Sequence, residues 1–249
     1  MTAEDKVRFE IIARRALVSD SQKDGSINTY NEKRLHLSLK KFCEEDESCH
    51  EVPIGPYIAD ILRGNEIIEV QTGSFAPMRE KIRYYLENTD FSVTVIKPIP
   101  HIKWCVWIDR KSGDISPRKR SPKKYLPRDY LRDWYYLSEF LGNERLTLKF
   151  FLLEEEEYRF TGWSRDKKRG SRCYERVPLS LVDIASYCSP EDYLEFFPES
   201  LPQSFSAKEY SVLAKTRGYA TYSALKILES LGFIRKGEKE GRSFIYHKN

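Results

Sequence analysis

Tyr57-Ile58-Ala59-Asp60-Ile61-Leu62-Arg63-Gly64-Asn65-Glu66-Ile67-Ile68-Glu69-Val70-Gln71 reads as two strands joined by a tight reversal. Ile58, Asp60 and Leu62 alternate with Ala59 and Ile61, and Arg63-Gly64-Asn65-Glu66 supplies the turn. In the second strand Ile68 and Val70 point one way, Glu69 and Gln71 the other. An antiparallel hairpin then brings Asp60 to Glu69 on one side of a sheet, where two carboxylates repel unless a divalent cation sits between them. The bland alternative is that Asp60 ends a strand and Glu69 and Gln71 face water on a half-exposed sheet.

The flanks continue the pattern. Upstream, Leu35, Leu39 and Phe42 recur at helical spacing in a segment starting at Asn31, with Glu32 in its first turn. Downstream, Pro77 suits the first turn of a helix over residues 77–86, and Phe91-Ser92-Val93-Thr94-Val95-Ile96 reads as the next strand. The Asp-x8-Glu-x-Gln pattern in this helix, hairpin, helix, strand order resembles the core of the PD-(D/E)xK nuclease superfamily over roughly residues 30–97, with Gln71 where most members carry Lys. That resemblance implies a restriction-endonuclease-like α/β (α+β) fold, a mixed sheet flanked by helices, and Mg²⁺- or Mn²⁺-dependent hydrolysis of DNA phosphodiesters.

On this likeness Asp60 and Glu69 hold the metal, Ile68 or Val70 adds a backbone carbonyl, and Glu32 reaches the same ion or its water. A Gln can orient the attacking water but cannot act as its base. In some members the missing Lys has migrated to the following helix, which makes Lys81 and Arg83 the substitutes to consider here; a solvated helix face is the plainer reading of both.

The far end carries a second pattern. A Ser-capped helix over 206–215, a turn at Thr216-Arg217-Gly218-Tyr219, a helix over 220–231 closed by Gly232, and two strands at 233–235 and 242–246 around a charged turn resemble a winged helix-turn-helix. That likeness implies a DNA-facing set of Thr221, Tyr222, Ser223 and Lys226, with Arg235, Lys236, Lys239 and Arg242 in or beside the wing. Residues 206–249 hold nine Lys/Arg and four Asp/Glu, which suits phosphate contacts. Glu238 and Glu240 in the wing argue the other way, and such modules also bind proteins or dimerise.

Between these ends lie a strand over 102–109, an amphipathic helix over 128–141, a long strand over 146–160 and a hairpin turning at 165–176. Residues 7–17 form a helix or a strand. The loop 110–128 holds eight Lys/Arg against one Asp. Its Arg118, Lys119, Arg120, Lys123 and Lys124 are either solvated or draw a phosphate backbone toward the cleft.

The whole chain fits two units, 1–188 and 189–249, within 249 residues that are 40% hydrophobic with a net charge of +4. Five cysteines without a C-x-x-C pair and four histidines without a zinc pattern suggest free thiols in a reducing cytoplasm. No leader and no membrane-length apolar run is expected. The functional expectation is a Mg²⁺-dependent DNA endonuclease guided by a winged helix; the alternative is a non-cleaving DNA-binding or regulatory protein on the same scaffold. A protein partner or a homodimer stays open.

Overall fold

The computed structural model describes residues 2–20, 31–161 and 171–249, with only the backbone at 17–20, 31–33 and 171–172. Two helices lead, α1 (Ala3–Asp20) and α2 (Asn31–Cys43), followed by strands β1 (His50–Ile54), β2 (Tyr57–Arg63) and β3 (Glu66–Val70). Helix α3 (Arg79–Asn88) leads into β4 (Ser92–Ile108), the two-residue β5 (Lys119–Arg120), the single-turn α4 (Leu131–Trp134), β6 (Leu146–Thr161) and β7 (Ser171–Tyr187). The chain ends with β8 (Ser204–Ser206), α5 (Ala207–Leu213), α6 (Tyr219–Ser230), β9 (Ile234–Glu240) and β10 (Ser243–Lys248).

The large sheet has the order β1-β2-β3-β4-β6-β7, with β5 added to β4. Its first three strands meander antiparallel; β3, β4 and β6 run parallel, and β7 returns antiparallel. Each parallel step crosses over through a helix, α3 or α4, as parallel pairing requires. The tight reversals use left-handed backbone at Gly55 (φ 59°) and Gly64 (φ 56°). A Cβ at Gly55 would also collide with the Tyr84 ring, so the β1–β2 turn is packed directly under α3.

Both faces of the sheet are covered, giving a three-layer, mixed α+β architecture. On one face α1 and α2 bury Phe9, Leu35, Leu39 and Phe42 against Ile61, Ile68, Val70, Ile96 and Phe151. On the other, α3 and α4 bury Ile82, Tyr85 and Trp134 against Ile67, Val93, Val95 and Phe150. Strand β3 sends Ile67 to one cluster and Ile68 and Val70 to the other, and Glu69 between them is buried.

Several sequence expectations change. The two strands over 91–96 and 102–109 are one 17-residue strand, β4. Pro98 and Pro100 are tolerated within it because they lie beyond Ile96, where β3 has ended and one edge of β4 needs no N–H donors; a bulge between Pro100 and Ile102 absorbs the irregularity. The helix over 128–141 is a 3-10 turn (Pro127–Tyr130), α4, and a second 3-10 turn (Tyr135–Leu137). Leu131, Trp134 and Leu137 are all buried, and their spacing of three fits 3-10 geometry better than a continuous α-helix. Residues 7–17 are helical. Of the turn expected over 165–176, residues 165–170 lie outside the described residues and 171–176 belong to strand β7, which pairs with β6 from Thr161↔Ser171 inward. The wing strands reach Glu240 and restart at Ser243, so Lys236 and Lys239 lie in a strand and the turn is only Gly241-Arg242.

In the C-terminal unit, α5 and α6 lie between β8 and β9 in the chain, and the small sheet has the order β8-β10-β9. Ser206 caps α5 in a reciprocal pairing with Glu209. The buried apolar cluster does not stop at residue 188: it runs from Phe150 and Trp134 through Tyr187 and Phe196 to Tyr210, Leu225, Leu228 and Tyr246.

Candidate active site

Pairing between β2 and β3 ends at Ile61↔Ile68, while β3 stays paired with β4 as far as Val70↔Ile96. The strands fork there, and Asp60 and Glu69 stand on the two prongs. The Val70 N–H, which has lost a strand partner on the β2 side, donates to Asp60 Oδ2 at 2.7 Å. His36 on α2 places Nε2 3.2 Å from the same oxygen. Burial alone would lift the Asp60 carboxyl, but the His36 hydrogen bond and charge, with the Val70 N–H, hold it below its ordinary value.

Glu69 is only 3% exposed in the central strand. Lys81 Nζ lies 2.7 Å from its Oε2 and the Tyr85 hydroxyl donates to Oε1 at 3.1 Å. Lys81 and Tyr85 are four residues apart, one turn of α3, so the same helix face serves both oxygens. Burial, and next the Asp60 charge, still push the Glu69 carboxyl up to about 7, with Lys81 and Tyr85 offsetting only part.

A cavity of about 450 Å³ opens at the fork, lined by His36, Asp60, Glu69, Val70, Gln71, Thr72, Pro77, Met78 and Lys81. Of the residues expected to carry chemistry, Asp60, Glu69, Gln71 and Lys81 thus share one cavity. Glu32 begins α2 one turn before His36, and its side chain lies outside the described residues. Arg83 is directed elsewhere, to Glu80 and Glu139 at 2.6 and 2.7 Å. Gln71 donates to the Ser74 carbonyl at 2.8 Å and so shapes the loop that walls the cavity.

Sequence reasoning missed His36 and Lys97. His36 completes no metal pattern in the sequence, yet it sits on the helix face next to Asp60. Lys97 interrupts the apolar run Val93 to Ile99, which was the visible signal. Only 2% exposed, it donates to the Gly73 carbonyl and pairs with Asp133 Oδ2 at 3.0 Å, tying the cavity loop to α4. Burial draws its ammonium below the ordinary value against the partial support of Asp133.

The basic loop does not line this cavity. Arg118 and Arg120 lie 4.4 and 6.0 Å from the Trp104 ring centre, and Lys123 pairs with Asp129 at 3.3 Å; Lys119, Arg120 and Lys124 are exposed. On α6 the expected polar face is corrected. Thr221 and Ser223 are 4% and 6% exposed because they share helix faces with Leu225, Leu228 and Ile227. The Thr221 hydroxyl is satisfied by Thr216 at 3.0 Å. Tyr222 and Lys226 do face solvent, with Lys226 held 3.1 Å from Glu229. Arg235 and Arg242 are exposed, and Lys236 lies 3.6 Å from the Phe244 ring centre.

Among the described residues no group of three or more His, Cys, Asp or Glu side chains is arranged to hold a metal ion, and no helix is long and apolar enough to cross a membrane. All five cysteines are free.

Residues 33–187 match the family described as Domain of unknown function (DUF8091). The chain belongs to this family. The DUF8091 match ends with β7 and contains the fork, α3 and the loop 71–75, but not Glu32 or the C-terminal unit. The chain is also 26% identical over 228 residues to an uncharacterized protein of Treponema pallidum (strain Nichols), covering 90% of this chain and 88% of that one. No solved structure matches.

Proposed function

We propose that this DUF8091 protein is a metal-dependent DNA endonuclease whose centre is the β2–β3 fork. The observation that carries the reading is the convergence of Asp60, Glu69 and Lys81 on one cavity, within an α2-β1-β2-β3-α3-β4 order that is similar to the PD-(D/E)xK nuclease core.

Asp60 and Glu69 would give a divalent cation a pair of carboxylate donors, with no group of three or more His, Cys, Asp or Glu among the described residues to complete the set. Asp60 is held ionised beside Glu69, whose proton affinity is raised first by burial and then by that neighbour; a shared Mg²⁺ or Mn²⁺ would remove the repulsion between the two. Bound there, such an ion supplies an activated water and charge stabilisation for the leaving oxygen. Asp60 and Glu69 would hold it, His36 and the Val70 N–H would fix the Asp60 rotamer, and Tyr85 would fix that of Glu69. Lys81, 2.7 Å from Glu69 on the cavity wall, would contact a phosphate oxygen or the attacking water in the role usually given to the motif Lys. Gln71 is spent on the loop. The order β8-α5-α6-β9-β10, with sheet order β8-β10-β9, supports a winged helix as the DNA-holding unit.

A non-cleaving DNA-binding protein is favoured by one observation, that Lys81 is neutralised by Glu69. Cleavage of plasmid and branched DNA with Mg²⁺ or Mn²⁺ separates the readings. Nicking that disappears in both Asp60→Ala and Glu69→Ala supports the nuclease. Binding without cleavage supports the alternative, and activity equal in parent and both variants marks a contaminant.

A further inference from the structure

Helix α6 packs on α4 and leaves a stripe of tyrosines outside. Tyr219 and Tyr222 are 78% and 61% exposed, three residues apart on one helix face. The 3-10 turn after α4, which also contacts α6, carries Tyr135 at 50% exposed. The Arg132 guanidinium, three residues before Tyr135, lies 5.5 Å from the Tyr219 ring centre and joins the two segments. Exposed Lys215 and Arg217 lead straight into Tyr219.

The charge here is one-sided. The nearby carboxylates are already matched, Asp133 by Lys97, Glu139 by Arg79 and Arg83, and Glu229 by Lys226. No ion pair joins Arg132, Lys215 or Arg217 to an acidic side chain among the described residues. A surface of aromatic faces set among unmatched cations complements a ligand that carries both flat rings and negative charge.

We propose that this seam binds unpaired nucleotides, the bases stacking on Tyr219, Tyr222 and Tyr135 while Arg132, Lys215 and Arg217 meet the phosphates. Duplex DNA keeps its bases in the stack and offers the rings nothing, so the substrate class is nucleic acid with a single-stranded segment: a flap, a gap or a branch. The seam is linked to the proposed active site through Asp133, Lys97 and the Gly73 carbonyl, so a strand held here is held relative to the loop that walls the cavity. This inference rests on the nucleic-acid reading of the protein.

Fluorescence anisotropy of the full chain in EDTA, with a labelled oligothymidine and a duplex of equal length, tests it without requiring cleavage. The parent is expected to prefer the single strand. Tyr219→Ala with Tyr135→Ala should weaken single-strand binding by about tenfold per ring and leave duplex binding unchanged, while Tyr219→Phe with Tyr135→Phe restores it. Equal loss on both ligands, or no loss on either, overturns the stacking surface and leaves the nuclease reading standing. A parent that binds neither ligand removes both. A change in sedimentation of the Ala variant, with unchanged DNA binding, would overturn it in favour of a contact between copies of this chain.

Discussion

Replacing Glu69 by Gln should make the protein more stable and less functional at the same time. The carboxyl is pushed from an ordinary 4.5 to about 7, chiefly by burial and next by Asp60. Its folded-state proton affinity exceeds the unfolded one, so the fold carries no penalty below the unfolded value. The cost builds as pH climbs between the two and is complete above about 7. About 2.5 units at 1.36 kcal/mol each gives roughly 3 kcal/mol. Gln keeps the shape and the Tyr85 contact and never ionises, and the lost attraction to Lys81 is already contained in the value of about 7. The expected net gain at about pH 8 is roughly 3 kcal/mol, about 6–12 °C in Tm for a chain of this size, shrinking to nothing near about pH 4.5. Urea denaturation followed by tryptophan fluorescence, in EDTA across that pH range, measures it. A Glu69→Gln protein that is less stable than the parent at high pH would refute the reasoning, because the Lys81 pair would then be a net stabiliser. Adding Mg²⁺ should stabilise the parent at high pH and leave Glu69→Gln unmoved.

Glu155 on β6 presents the same physics away from the cavity: it is 1% exposed, neither carboxylate oxygen has a hydrogen-bond partner among the described residues, and burial raises its carboxyl to about 7. Glu155→Leu should therefore flatten the fall in stability between about pH 5 and about pH 8 by roughly 2–3 kcal/mol, read from denaturation midpoints at both ends; parallel pH curves for parent and variant would contradict it. Truncation after residue 188 should abolish cooperative unfolding rather than trim a module, because Phe196, Leu225 and Leu228 belong to the cluster that covers Trp134. Near-ultraviolet circular dichroism of the shortened chain will report the lost packing, and a native-like spectrum would show that the two units fold apart.

The hairpin and its flanking helices were legible because each signal was local: alternation at 57–62, a glycine turn at Gly64, and Leu35, Leu39 and Phe42 one helical turn apart. Strand β1 was not, since its five residues include Pro53, tolerated only because β1 is an edge strand. The strand fork follows from where β2 leaves β3, a property of pairing that no single segment announces. His36 and Lys97 owe their roles to contacts made across layers, so spacing within the sequence could not place them. The α6 face failed for a related reason. A polar residue such as Thr221 was read as outward, whereas the apolar positions 224, 225 and 228 had already assigned that side to the interior.

The continuity of the apolar interior from Phe150 to Tyr246 makes the C-terminal unit a fixed jig rather than a tethered arm. In a protein whose gripping and cutting parts hang on a flexible linker, the cut wanders over many nucleotides. Here the distance from α6 to the β2–β3 fork is set by side-chain packing, so, on the proposed nuclease reading, product ends would fall at one fixed offset from whatever α6 holds.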